Sequence, residues 1–218
     1  MFGIKKFLIV AAMFALFAAT ANVSAAASDV TLEPSSQIVT PGDTFTVNIF
    51  VSPDVDIAGM QFDLVFDSSQ FQVSEASEGS LFKQSGMDTF FVAGSVNSGL
   101  LNDAYGCILG ASDVATPANF AIVTVTATEQ SNGRSELVLK DVIISDPSGN
   151  AVDIELTNTV ISVVIVDINQ DGVVDFEDYG LVEQHFDETT SYPYPSWDVN
   201  QDNIVNVLDL MLVLSHMD

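Results

Sequence analysis

DINQDGVVDFED, residues 167–178, follows the strongly apolar run VISVVIV, residues 160–166. Oxygen-bearing side chains stand at its first, third, fifth, ninth and twelfth places, with Gly172 at the sixth. Thirty-one residues later the pattern returns as DVNQDNIVNVLD, residues 198–209. The first copy offers Asp167, Asn169, Asp171, Asp175 and Asp178, and the second Asp198, Asn200, Asp202, Asn206 and Asp209. A hard divalent cation such as Ca²⁺ takes six to eight oxygens at flexible distances, and this spacing wraps a chain around one ion. Place seven gives a backbone carbonyl, from Val173 and Ile204, so its side chain is free to be apolar. Place six needs a left-handed turn, which glycine supplies freely and asparagine next best. One such loop alone also reads as a solvated acidic turn. Two in tandem, each leading into an apolar helix, select two Ca²⁺ sites. Mg²⁺ resists full dehydration, and zinc would want Cys or His, which the loops lack.

The surrounding composition agrees. The chain carries thirty acidic and five basic residues, a formal charge of −25. Such a balance excludes nucleic acid, whose phosphates need clustered Lys and Arg. Two of the bases, Lys5 and Lys6, precede FLIVAAMFALFAATA and small-residue cleavage options after Ala25 or Ala27. That is a secretory leader over residues 1–27, with an apolar core short of the roughly 20 residues a membrane span needs. The mature chain is therefore expected to be exported, without a membrane span. The single Cys107 forms no intrachain disulfide and reads as a small buried hydrophobe.

From residue 28 to 166 the pattern has period two. In TFTVNIFV, Phe45, Val47, Ile49 and Val51 share one face; in MQFDLVF, Met60, Phe62, Leu64 and Phe66 do, leaving Gln61 and Asp63 outward. Turn signals such as TPGD, SEGS and DPSGN separate the runs. The region reads as a β-sandwich of nine or ten strands without a normal helix. After residue 166 the period becomes helical. FEDYGLVEQHF places Phe176, Tyr179, Leu181 or Val182, and Phe186 near one face, and VLDLMLVLSHM does so for Val207, Leu210, Met211 and Leu214. His185 and His216 fall outside the ligand places and read as surface or packing residues. The whole is a mainly β chain: a sandwich over 28–166, then a small all-α unit over 167–218.

Each loop lacks the entering helix of an ordinary EF-hand, and place twelve is Asp. In these respects residues 167–217 resemble dockerin modules, with duplicated calcium loop–helix units. The resemblance implies as ligands Asp167, Asn169, Asp171, Val173, Asp175 and Asp178, then Asp198, Asn200, Asp202, Ile204, Asn206 and Asp209. It also implies that places ten and eleven help choose the partner. These are Phe176 and Glu177, then Val207 and Leu208. The halves differ there, so equivalent binding in two orientations is not expected. Helix core is the competing reading for Phe176 and Val207. The PGD turn, the GMQFDLVFD strand and the GSL segment resemble a cohesin, a jelly-roll sandwich that binds dockerins through one sheet face. On that face Gln61 and Asp63 either touch a partner or are simply solvated.

The resemblance implies a non-catalytic extracellular adaptor, joining cohesin and dockerin modules of other secreted proteins. The alternative is a carbohydrate-binding sandwich mounted on a scaffold through its dockerin, as in polysaccharide degradation, with Phe90, Phe91 and Tyr105 as candidate platform aromatics. A glycosidase needs paired carboxylates in a substrate-sized cleft. The sandwich is too small to carry an added catalytic domain, so no enzymatic activity is expected.

Overall fold

The computed structural model describes residues 27–217. The expected leader lies outside them, but for its last residue. Eleven strands form two sheets: β1 (Ser28–Pro34), β2 (Ile38–Val39), β3 (Thr44–Ser52), β4 (Gly59–Val65), β5 (Phe71–Glu78), β6 (Thr89–Asn97), β7 (Leu100–Ile108), β8 (Ala118–Ala127), β9 (Gly133–Ser145), β10 (Ile154–Thr157) and β11 (Thr159–Val163). One sheet has the order β10-β1-β3-β8-β5, the other β2-β11-β9-β4-β7-β6. Within the sandwich, only a short 3-10 turn (Phe82–Ser85) is helical.

The strand count exceeds the expected nine or ten because short pieces form at the ends. β10 pairs in parallel with β1, whereas β11 pairs with β9 in the other sheet. Asn158 makes the crossing, its side chain accepting from Leu139 N at 2.9 Å.

Alternation dictates the inner layer. Phe45, Val47, Ile49 and Val51 are buried, as are Met60, Phe62, Leu64 and Phe66. Phe120 sits among Phe62, Phe82 and Phe91, with edge-to-face centroid distances of 6.0, 5.5 and 5.7 Å. Such pairs add about 0.5–1.5 kcal/mol each beyond area burial. The GSL segment owes its glycine to close approach: a Cβ on Gly79 would stand 2.0 Å from the Asn119 carbonyl oxygen. Leu81 beyond it is fully buried. Cys107 is half-buried on β7, so the expectation of a buried thiol is corrected. Its neighbours in register, Gly59 and Phe90, lie on the outer side of the sheet.

A second core gathers Val164, Val166, Ile168, Val182, Val199, Val205, Leu210 and Val213. It begins where the sandwich ends. Val164 N donates to Val39 O at 2.9 Å, prolonging the parallel pairing of β11 with β2. No flexible linker intervenes before Asp167. Two helices complete this unit, α1 (Phe176–Gln184) and α2 (Val207–Ser215). The connector pairs with the second loop: Asp187 N donates to Val205 O at 2.8 Å, and Val205 N to Glu188 O at 2.9 Å. His185 stacks on Trp197 at 3.9 Å, and His216 Nδ1 donates to Leu212 O at 2.8 Å, so both are packing residues.

The faces of both helices depart from expectation. Val182 is buried on α1 with Tyr179 and Leu181 beside it, but Phe176 is 74% exposed and Phe186 also faces solvent. On α2 the buried residues are Asp209, Leu210 and Val213, while Val207, Met211 and Leu214 lie outside. Seven of the nine α2 residues are apolar, so periodicity cannot choose the face. The Asp209 carboxylate chooses it, because buried backbone N–H groups need that acceptor.

Candidate metal loops and docking faces

The two loops share one hydrogen-bond network. In the first, Asp167 accepts from Asp171 N at 3.2 Å and Gly172 N at 2.9 Å. Asn169 Oδ1 accepts from Asp171 N, and Asp171 Oδ1 from Val173 N, both at 2.9 Å. In the second, Asp198 accepts from Asp202 N and Asn203 N at 3.2 Å. Asn200 and Asp202 repeat the next two steps at 3.0 Å each. The expected left-handed places are so: φ is 89° at Gly172 and 78° at Asn203. Gln170 and Gln201, the fourth places, are left-handed too, at 61° and 59°, which the sequence did not signal.

Places nine and twelve start each helix. Asp175 caps α1 by accepting from Glu177 N at 2.7 Å, and Asn206 caps α2 by accepting from Leu208 N at 2.8 Å. In return, Asp178 accepts from Asp175 N and Asp209 from Asn206 N, completing capping boxes. Asp178 also takes Ile168 N at 2.7 Å and Asn169 N at 3.0 Å, so three amides converge on a fully buried carboxylate. Asp209 takes two, from Asn200 N and Asn206 N.

Metal suitability follows from the donors. Among the described residues no three Asp, Glu, His or Cys side chains gather into an acidic cage. Each loop instead mixes carboxylates with an Asn oxygen and a backbone carbonyl, a hard all-oxygen set that fits Ca²⁺. The amide bonds do not exhaust it, since an ionised carboxylate has about four lone-pair sites. The only ion pairs among the described residues are Lys83–Glu78 and His185–Glu188, so no Lys or Arg neutralises either loop. Burial pushes the Asp209 carboxyl above its ordinary range; bonds from Asn200 and Asn206 oppose this, and the charges of Asp198 and Asp202 add to it.

The second loop has one carboxylate fewer. Asn206 replaces an acid, and its Nδ2 donates to Ile204 O at 3.1 Å, engaging the carbonyl of place seven. Thr190 Oγ1 donates to Asp198 as well.

Three faces remain open. On α2, Val207 and Met211 are 56% and 58% exposed, with Leu208 and Leu214 beside them as an apolar stripe. The matching positions of α1 are Phe176, Glu177, Gly180 and Glu183, with two glutamates and a single apolar side chain. On the six-stranded sheet, register aligns Val92, Tyr105, Gln61 and Ile143 across four strands. Tyr105 is 42% exposed, Phe90 and Ile143 also face out, and the Phe90 and Tyr105 rings stand 6.1 Å apart at 48°. Phe91 turns inward onto Phe120. Gln61 and Asp63 do face outward, and each also braces a neighbouring strand. Asp63 accepts from Asp103 N at 2.9 Å and Gln61 Nε2 donates to Asp141 O at 3.4 Å, both at left-handed residues. Ile143 was missed in the sequence because the irregularity at Asp141 shifts the alternation of β9.

The model of the Cohesin domain family matches residues 29–165, and that of the Dockerin type I domain matches residues 165–218. No curated protein matches the chain. Among solved structures it resembles a non-cellulosomal cohesin of the hyperthermophilic archaeon Archaeoglobus fulgidus, at 15% identity and a TM-score of 0.51, over 65% of this chain and 94% of that one. A cohesin module from a Clostridium perfringens family 33 glycoside hydrolase gives 17% and 0.52, over 63% and 96%. A chain of a type I cohesin–dockerin complex from Clostridium thermocellum gives 17% and 0.51, over 64% and 100%. At these identities the likeness establishes the fold.

Proposed function

The chain belongs to the cohesin family and ends in a type I dockerin domain, and from that premise we propose that it is an exported, calcium-dependent adaptor joining two different partners. Cohesins and dockerins are non-catalytic interaction modules that bind their counterparts, so the chain takes part in cohesin–dockerin assembly. Type I dockerins bind calcium. The two loops hold one ion each, through Asp167, Asn169, Asp171, Val173, Asp175 and Asp178, and through Asp198, Asn200, Asp202, Ile204, Asn206 and Asp209. Bound calcium supplies the positive charge that lets these oxygens crowd together, and the chain's own residues order the helices.

One observation carries the docking assignment. α2 buries an aspartate while leaving Val207, Leu208, Met211 and Leu214 in solvent. Exposed apolar side chains in a contiguous stripe mark a partner surface. The α2 stripe enters a cohesin of another chain, with Phe176 and Glu177 at its margin. The sheet row around Tyr105 and Gln61 receives a dockerin, with Asp63 holding the adjoining strand in place. Because the modules join without a linker, the dockerin does not fold back on its own sheet, and pairing is in trans. Both surfaces of this chain have acids at their margins, including Asp63, Asp103, Glu177 and Glu183, which disfavours a second copy as partner.

The experiment is capture by the full mature chain of secreted proteins from its own host, in calcium and in chelator, with identification of what is retained. Retention in calcium of proteins with cohesin or dockerin modules, lost in chelator, with only the cohesin-bearing ones also lost by Met211→Glu, is the expected result. Concentration-dependent self-association in analytical ultracentrifugation would overturn the adaptor. The carbohydrate reading draws on the exposed Phe90 and Tyr105, but rings inclined at 48° do not form a flat platform.

A further inference from the structure

An open groove lies at the junction of the modules. One part, of about 630 Å³, runs between the sandwich turns at residues 40–41 and 129–132 and the first metal loop. A second part, of about 160 Å³, runs on to the Tyr194–Pro195 connector and the second loop. Asn132, Ile165 and Gln170 line both, so the two adjoin. Together they fall in the range of roughly 300–1,000 Å³ typical of small-molecule sites, which favour domain junctions.

The lining has a definite chemistry. Its apolar lining residues are Ile165, Val166, Val174, Val199 and Pro195, among a larger polar share. Its walls present the amides of Asn132, Gln170 and Gln201 and the Tyr194 ring. Within the described residues none of those three side-chain amides makes a hydrogen bond, so each keeps its donors and acceptor for a guest. They come from three separate segments: a sandwich turn and the fourth place of each metal loop. No Lys, Arg or His lines the groove, whereas Glu129, Asp167 and Asp198 do. With Asp167 and Asp198 turned to calcium, the wall has no cationic side chain to pair an anion and only Glu129 to pair a cation. Amides pair donor with acceptor against vicinal hydroxyls, and apolar side chains with one aromatic suit the C–H face of a sugar ring.

We propose that the junction groove binds a neutral oligosaccharide, with Asn132, Gln170 and Gln201 reading hydroxyls and Tyr194 packing on a ring. This site differs from the sheet face considered above and does not rest on the adaptor reading. Both modules build it, so the glycan holds their relative orientation as well as being held.

The test is isothermal titration of the full mature chain in calcium with cellohexaose, xylohexaose and mannohexaose, and with trigalacturonate as the anionic control. At least one neutral hexasaccharide should bind one to one, and trigalacturonate should not. Tyr194→Ala and Asn132→Ala should each weaken binding by about tenfold, the loss expected for one packing or hydrogen-bonding partner. They lie in different modules, so a folding defect in one does not carry over to the other. Tyr105→Ala, on the sheet face, should leave binding unchanged. Absence of heat with all three neutral sugars overturns the proposal. So does binding that only Tyr105→Ala abolishes, or equal binding of trigalacturonate. Capture of protein partners by the same variants stays intact in every case if the adaptor reading holds.

Discussion

The two loop–helix units are built on one plan and spend it differently. Both close the same Asx turns, both turn left-handed at places four and six, and both start a helix with a capping box. The first then offers four ligand carboxylates and a helix face with two glutamates. The second offers three, a carbonyl already engaged by Asn206, and an apolar helix face. The loop richer in carboxylates thus precedes the less apolar helix, and under the proposed function the two copies divide metal-assisted folding and recognition between them.

Removing calcium should affect this comparison most. A unit of about fifty residues has a marginal core, and here unneutralised carboxylates crowd both loops. In chelator the full chain should lose its helical circular dichroism while the β signal persists. An unchanged spectrum would mean that the loops fold without metal, and the division of labour would lose its basis.

Next come the buried acids. Asp178→Ala strips the acceptor from three amides and should cost the unit about 3 kcal/mol or more; Asp209→Ala strips two and should cost less. Trp197 is the sole tryptophan and stacks on His185, so its fluorescence in urea reports on this unit alone. Equal losses would say that the loops contribute alike.

Recognition should be one-sided. Leu208→Arg or Met211→Glu should each cost about 2 kcal/mol in affinity for the captured cohesin partner, as a central contact does. Glu177→Ala and Glu183→Ala on α1 should cost less than about 0.5 kcal/mol, as rim charges do. Comparable effects on both helices would restore two-way binding.

Asn206→Asp sharpens the metal side. It adds the fourth carboxylate and frees the Ile204 carbonyl, so calorimetry should show two distinct calcium steps merging towards one.

The smallest effect concerns an acidic turn outside the loops. Asp146 in DPSGN accepts from Asn150 Nδ2, Asn150 N and Ser148 N, which hold its carboxyl below the ordinary 3.8. A lowered folded value means that its stabilisation is present above that ordinary range and is lost as pH falls through the folded one. Asp146→Ala should slightly lower the stability of the sandwich at neutral pH, with the difference from wild type shrinking as pH falls, and leave calcium binding untouched. A change in calcium affinity would show that acidic turns of any spacing suffice.

The same contrast explains what could be read in advance. Period two located Phe45 to Val51 and Met60 to Phe66 because polar residues alternate with them and a strand has only two faces. The turns of both loops were legible because the left-handed sixth place and the side-chain acceptors at the first, third and fifth places are set by local sequence. The face of α2 was not, since apolar residues nearly encircle it. The deciding residue is Asp209, and an aspartate buried for its hydrogen bonds looks like a surface residue in a sequence. The face of α1 expected to carry Phe176 failed similarly: Asp178 takes the inward position. Ile143 was lost to an irregularity at Asp141, and the bracing roles of Gln61 and Asp63 depend on neighbours distant in sequence.

The junction also has a mechanical consequence. β10 lies parallel to β1, and β11 parallel to β2, so the last strands of the sandwich run alongside the first. Tension applied between the start of β1 and the dockerin would draw these parallel pairs past one another. Their hydrogen bonds would then share the load and fail together, unlike those of a hairpin opening from one end. With no slack between Val163 and Asp167, a pull on α2 reaches the sheet at once. Single-molecule stretching of the full chain should give one high-force event for the sandwich, and stepwise low-force unravelling would contradict it.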